Sequence, residues 1–288
     1  MHQLFLIIGS LEIHWYGVMA ALAAFTAYLV LTLNRKFAGI TKDQAATIVF
    51  YFMLVGGTVG ARIFYVMLNW QYFEDRPWYE MLAINHGGLV FYGGFFLAAA
   101  LIVLYCRKRK LSLIAVLDVL APAIAIGHAV ARIGCFLQGC CHGAATDSFI
   151  GVRYPVFQHV LEISFHPFSI RWKEYVAQLP ALLASGVKIY PVQLFESAGN
   201  LILGLALCYL VRKGRRGMAF SGYILGYGIL RFCLEFIRGD AERGVWGWFS
   251  TSQIVALAVI PFGAAMFAFF ATGKNASKSL EEKKSSGA

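Results

Sequence analysis

The chain has 288 residues, of which 59% are hydrophobic and only 14% charged, with a mean hydropathy of +0.65. That little charge does not cover a soluble domain of this size, which excludes an ordinary water-soluble globule. The net charge of +10 sits in short basic blocks between apolar runs, so it reads as a membrane-topology signal and not as a nucleic-acid footprint.

Seven apolar stretches, roughly 13–33, 44–67, 87–106, 112–133, 193–211, 218–237 and 250–272, are each long enough to be expected to cross a hydrocarbon core about 30 Å thick. The expected fold class is therefore an all-α integral membrane protein of seven transmembrane helices. Residues 1–273 form one transmembrane domain, and Lys274 to Ala288 form a polar, basic tail. The opening segment Met1 to Ser10 has no basic region and no small-residue cleavage site, and reads as mature sequence.

Between the first and second spans lie Arg35, Lys36 and Lys42; between the third and fourth, Arg107, Lys108, Arg109 and Lys110; between the fifth and sixth, Arg212, Lys213, Arg215 and Arg216. With the tail lysines these make fifteen of the 25 basic residues on one side. Arg76, Arg153, Arg171, Lys173, Lys188, Arg238 and Arg243 lie on the other side, in longer loops. Positive charge stays where it is not translocated, so the dense side is expected in the cytoplasm and the N-terminus outside. Trp15, Trp70, Trp78, Trp246 and Trp248 fall at the outer ends, as an interfacial aromatic belt would. The outer segment from about 135 to 191 is expected to form a small extramembrane domain between the fourth and fifth helices. Val152 to Val156 and Val160 to Ile170 are candidate short strands within it.

Arg62, Arg132 and Arg231 lie within or at the end of apolar spans. An arginine there costs roughly 2.5–3.5 kcal/mol on insertion scales and needs protein or a polar cavity around it. Asp118, Glu196 and Glu235 are the acidic counterparts, and structural ion pairing among the six is the plain reading of any one of them. Three guanidinium groups at comparable depth also suit an anion at headgroup level, because guanidinium grips phosphate with two parallel hydrogen bonds.

Glycine pairs recur at span ends: Gly56-Gly57, Gly87-Gly88 and Gly93-Gly94. They are expected to serve close helix packing or to line an irregular stretch beside a cavity. The densest polar cluster runs from Ala131 to Gly143 (ARIGCFLQGCCHG). Tyr190 to Glu196 (YPVQLFE) enters the fifth span, and Gly226 to Arg238 (GYGILRFCLEFIR) ends the sixth. In the last of these, Arg231, Glu235 and Arg238 are spaced to share one helical face. His128, one turn before Arg132, reads as a hydrogen-bonded core histidine or as a group orienting Arg132.

These three segments, with Ile13 to Gly17 (IHWYG), Gly60 to Tyr65 (GARIFY) and Ser250 to Gln253 (STSQ), resemble the phosphatidylglycerol–prolipoprotein diacylglyceryl transferase family over nearly the whole chain. The resemblance implies a bacterial inner-membrane transferase that moves the diacylglyceryl group of phosphatidylglycerol onto the lipobox cysteine of a prolipoprotein signal peptide and releases glycerol phosphate. No cofactor is implied, and the partners are those two substrates and the surrounding membrane lipids, with no nucleic acid. Carried over by motif position, Arg132 binds the phospholipid phosphate and Arg231 is the essential arginine of the sixth span, with Glu235 and Arg238 beside it. Tyr16, Asp118, Gly134, Gly139 and Gly143 also sit on motif positions. The substrate-binding set is Arg132, Arg231, Gly134, Gly143 and His86. The catalytic set is Arg231, Tyr92, Glu235, Arg238 and Tyr16.

Three positions depart from the family pattern. Tyr92 stands where members commonly carry a histidine, Cys135 where they carry an asparagine, and Cys140 where they carry a glutamate. His86 and His142 are alternative bases, and Tyr92 an orienting group. The Cys135, Cys140, Cys141 and His142 spacing is not a standard zinc pattern. A Cys135–Cys140 bridge or small buried thiols are expected, and no metal. Cys106, Cys208 and Cys233 read as packing residues. Two other readings compete with the transferase: a non-catalytic phospholipid-binding paralogue, and a membrane thiol redox protein using Cys135, Cys140 and Cys141.

Overall fold

The computed structural model describes residues 4–8, 11–82, 88, 90–144, 146–154, 187–238, 245–246 and 249–272. His86, Trp248, the stretch Val160 to Ile170 and the tail from residue 274 lie outside them. Seven long helices dominate: α1 Trp15–Asn34, α2 Lys42–Leu68, α3 Phe91–Lys108, α4 Leu113–Gln138, α5 Val192–Arg212, α6 Met218–Glu235 and α7 Thr251–Thr272. Among the described residues, five helices are long and apolar enough to cross a membrane: α1, α2, α4, α5 and α7. The chain is thus a mostly helical, multi-pass membrane protein.

Local chemistry sets several of the helix boundaries. Thr41 and Gln44 form a reciprocal capping box at the start of α2, and Ser250 and Gln253 form another at the start of α7. At α4, the Ser112 hydroxyl accepts from the Ala115 amide. The same helix ends on Gly139, whose φ of 83° lies in the left-handed region. There Gly139 N–H donates to Phe136 O and Cys140 N–H to Cys135 O, a Schellman stop.

Helix α4 is the central post. Some 61% of its apolar window is buried, against 11% for α7, and it packs on α1, α5 and α6. The α2–α3 contact is made backbone to backbone. A Cβ on Gly56 would collide with Ala98, and one on Gly60 would come within 2.8 Å of Gly93 O. Residues Phe50–Gly60 adopt a wide π-helical winding at this contact. Here the glycines serve close packing.

The two ends of the bundle differ in chemistry. Leu31, Ile48, Tyr105, Val116, Leu207, Val211 and Ala219 form one dry cluster at the end where the basic loops connect the helices. The opposite end, where α4 and α6 finish and α5 and α7 begin, holds the buried ionisable side chains. Three two-stranded antiparallel ribbons also lie at that end: β1 (Leu4–Ile8) with β2 (Leu11–His14), β3 (Val152–Tyr154) with β4 (Val187–Ile189), and β5 (Val245–Trp246) with β6 (Phe249–Ser250). The strand expected at Val152 to Val156 is present as β3.

Candidate functional site

The site is assembled from the last two turns of α4, the first turn of α5 and the last three turns of α6. Arg132 grips Glu196 with a two-point fork, Nε to Oε2 at 2.8 Å and Nη2 to Oε1 at 3.0 Å. Glu196 is 1% exposed, so its charge depends on this partner. Two further groups face the same carboxylate. Tyr227 Oη donates to Oε1 at 3.5 Å, and His128 Nε2 lies 3.7 Å from that oxygen. His128 therefore belongs to the shell around Arg132 and Glu196, and its ring also rests on that of Tyr227, with centroids 5.5 Å apart.

On α6, Arg231 Nη2 meets Glu235 Oε2 at 3.0 Å, one turn along the helix, and donates to Ser252 Oγ on α7 at 3.3 Å. Arg132 and Arg231 both lie within electrostatic reach of His128, and Arg132, Arg231 and Arg238 all lie within reach of Tyr227. Arg132 and Arg231 converge on one shell of side chains, and each already holds a carboxylate, the structural ion pairing that is the plain reading of either residue. Glu196 and Glu235, both buried, hold these two guanidinium groups.

Three expectations need correction. Arg62 is not part of the convergence: it is 7% exposed and donates to the carbonyls of Met81, Glu80 and Gly88 at 2.8–3.1 Å. It ties the segment after α2 to the bundle, with Tyr65 and Phe73 rings over it. Asp118 is no arginine partner. It lies at the opposite end, where its carboxylate accepts from the amides of Gly217 and Phe220 and caps α6 from outside. Arg238 does not share a helical face with Arg231 and Glu235, because α6 stops at Glu235. Arg238 instead pairs its backbone with Gly143 in an antiparallel bridge. Of the two states expected for the clustered cysteines, the free one is present: Cys135 is a buried thiol, and Cys140 and Cys141 are half-buried thiols.

Gly134 and Gly143 sit on close approaches. A Cβ at Gly134 would lie 2.8 Å from Met19 Cβ, where α1 crosses α4. At Gly143 it would lie 2.6 Å from both the Cβ and carbonyl of Tyr190, whose oxygen accepts from the Gly143 amide at 3.0 Å. Both positions therefore have a packing reason to be glycine. Tyr16, on the first turn of α1, lies within electrostatic reach of the three thiols and Arg132. Tyr92 stands on the first turn of α3, more than half exposed.

The thiols form a coupled group. Cys141 is pulled below the ordinary thiol range by hydrogen bonds to Cys135 and Cys140, with Arg132 and Arg238 lowering it further. Cys140 is pushed up by its hydrogen bonds to Cys135 and Cys141 and by burial.

Gln193, whose side-chain amide donates to Cys140 O at 2.7 Å, Tyr227 and Ser252 lie inside the motif segments, but the sequence did not single them out. All three are ordinary polar residues near spans, and only the fold brings them to the arginines.

The family model for prolipoprotein diacylglyceryl transferase matches residues 3–269. Among curated proteins, the phosphatidylglycerol–prolipoprotein diacylglyceryl transferase of Clostridium tetani (strain Massachusetts / E88) is 31% identical over 259 residues, covering 90% of this chain and 93% of its own. The protein of the same name from Finegoldia magna (strain ATCC 29328 / DSM 20472 / WAL 2508) is 30% identical, covering 90% and 92%. That from Synechococcus elongatus (strain ATCC 33912 / PCC 7942 / FACHB-805) is 29% identical, covering 89% and 83%.

Proposed function

The chain belongs to the prolipoprotein diacylglyceryl transferase family, and on that footing we propose that the arginine cluster at the end of α4 and α6 is its reaction centre. The protein is a transferase. It takes the diacylglyceryl group from phosphatidylglycerol and places it on a prolipoprotein cysteine, the first step of lipoprotein maturation. In that step the thiol sulfur attacks a glycerol carbon, a C–S bond forms, and the C–O bond to phosphate breaks. The thiol gives up its proton and glycerol phosphate leaves with the bonding pair.

Charge grows on the leaving phosphate, so donors aimed at it stabilise the transition state most. The observation that supports this assignment is that Arg132 and Arg231 both reach Tyr227 electrostatically, each held in place by a buried carboxylate. The two carboxylates hold Arg132 and Arg231 in position for the phosphate. The same positive surroundings favour the attacking thiolate. Tyr16 and Tyr92 are assigned to orienting the reacting groups, and Glu235 to holding Arg231. The candidate general bases are His142, at this end of the bundle, and His86.

Orientation follows from charge. The tight loops at 35–41, 109–112 and 213–217 carry the basic residues and lie at the dry end, which we place in the cytoplasm. The reaction centre, the three ribbons and the chain's N-terminus then face the outer leaflet of a bacterial inner membrane, with all seven helices crossing and residues 139–191 outside. A lipobox cysteine arriving from the outer side meets the phosphate at headgroup depth.

Purified protein incubated with phosphatidylglycerol and a lipobox peptide is expected to yield lipidated peptide and glycerol phosphate in equal amounts. Phosphatidylglycerol binding with no product, beside an active relative, would replace the transferase by a lipid-binding protein.

A further inference from the structure

We propose that Cys135, Cys140 and Cys141 form a three-thiolate site for a soft, closed-shell cation of the monovalent copper, zinc or cadmium kind. Their sulfur atoms all lie within 4.8 Å of one another. A metal–thiolate bond of about 2.3 Å sets the sulfurs of a trigonal site about 4 Å apart, so the trio needs only a slight contraction.

The backbone shows why the sulfurs meet. In a Schellman stop, the third residue from the helix end and the second residue past the cap bring their side chains into contact. Here those two residues are Cys135 and Cys140, linked by the Cys140 N–H to Cys135 O bond of 3.2 Å. Cys141 then adopts φ 57°, one of two described non-glycine residues with positive φ. An L side chain held there is strained, and such strain persists only where its surroundings impose it. The turn places the third sulfur with the other two.

The loop is also held from outside. Gln193 on α5 donates to Cys140 O at 2.7 Å, Gly143 N–H to Tyr190 O at 3.0 Å and Ala144 N–H to Ile237 O at 2.9 Å. Three elements fix the segment before any ion arrives, which is what a preorganised metal site requires. Charge is balanced too. Three thiolates on a monovalent or divalent ion leave net negative charge, and Arg132 Nη1 lies 3.6 Å from Cys135 Sγ. Soft sulfur donors select soft ions over calcium or magnesium. Binding exchanges three thiol protons for the cation and needs no oxidant. The transfer reaction uses none of these thiols, since its nucleophile belongs to the peptide.

The test uses the full chain, reduced and then kept anaerobic in detergent. Cadmium titration should give a thiolate-to-metal charge-transfer band in the ultraviolet that saturates at one ion per chain. Zinc and monovalent copper, each set against a competing chelator, then show which ion is held more tightly. Cys135→Ser and Cys141→Ala should each weaken binding at least tenfold while the helical circular dichroism is unchanged. The triple change Cys106→Ser, Cys208→Ser and Cys233→Ser should leave binding intact. Should Cys135→Ser fail to fold, Cys141→Ala decides alone. Titration without saturation, binding that survives Cys141→Ala, or protein isolated from membranes two hydrogens lighter through a disulfide among the three would each overturn the proposal.

Discussion

Arg132 and Glu196 show how much at this site depends on single pairings. Removing Arg132 would do two things at once: take away the proposed phosphate ligand and strand a carboxylate that is 1% exposed. Leaving a buried charge without its partner costs about 3–5 kcal/mol. We expect Arg132→Ala to abolish transfer and lower the thermal midpoint. The double change Arg132→Gln and Glu196→Gln should recover most of that stability and none of the turnover. A double variant that regained activity would show that the pair only props the fold. Arg231 has a lighter structural role, since Glu235 lies one turn away on the same helix at the site's edge. Its change to alanine should cut kcat by about 100-fold to 1,000-fold, the usual effect of losing one charge-stabilising donor, with the helical spectrum retained. Glycerol phosphate release from labelled phosphatidylglycerol measures both losses of turnover. Arg132, Arg231, Glu196 and Glu235 were legible because a charge inside an apolar run stands out. Which partner each took was not, because a pairing between α4 and α5 crosses 64 residues and only the fold sets it. Arg62 misled for the same reason: backbone carbonyls can satisfy a buried guanidinium, and every segment of the chain has carbonyls.

At the level of elements, helix ends and helix contacts were read with unequal success. The polar groups at Ser250 to Gln253 matched a family motif, and their physical reason is the capping box that starts α7. The end of α6 was missed by one turn, since nothing between Glu235 and Arg238 breaks a helix by composition. What stops it is tertiary: Ile237 O accepts from Ala144 N–H, and Arg238 bridges to Gly143. The role of Asp118 was likewise invisible, as its capped amides lie about one hundred residues on. Asp118→Ala should cost about 1–2 kcal/mol through the uncapped start of α6, seen as a lower thermal midpoint with kcat unchanged. The glycines allow a sharper contrast. Gly56→Ala would drive a methyl into Ala98 and should destabilise by about 1–3 kcal/mol. Gly57→Ala meets only Phe52 O at 3.6 Å and should be tolerated. Equal midpoints for the two would contradict the α2–α3 contact.

For the molecule as a whole, the positions of the long helices and the sidedness of the basic loops were plain in the sequence, because hydropathy and charge report the membrane directly. The division of labour between the two ends was not. A dry cluster around Leu31, Val116 and Leu207 fixes the helices at one end, so the other can carry five buried or half-buried charges without coming apart. Rigidity there keeps the arginines at fixed spacing, which transition-state stabilisation requires. The central claim is that Arg132 and Arg231 grip one phosphate between them. It is tested most directly by titrating glycerol phosphate into the detergent-solubilised protein and into Arg132→Gln, Arg231→Gln and the double variant. Binding that each single change weakens, with the double change no worse than the sum of the two or milder, is the predicted result for two donors sharing one anion. Unaltered affinity in either single variant would contradict the account.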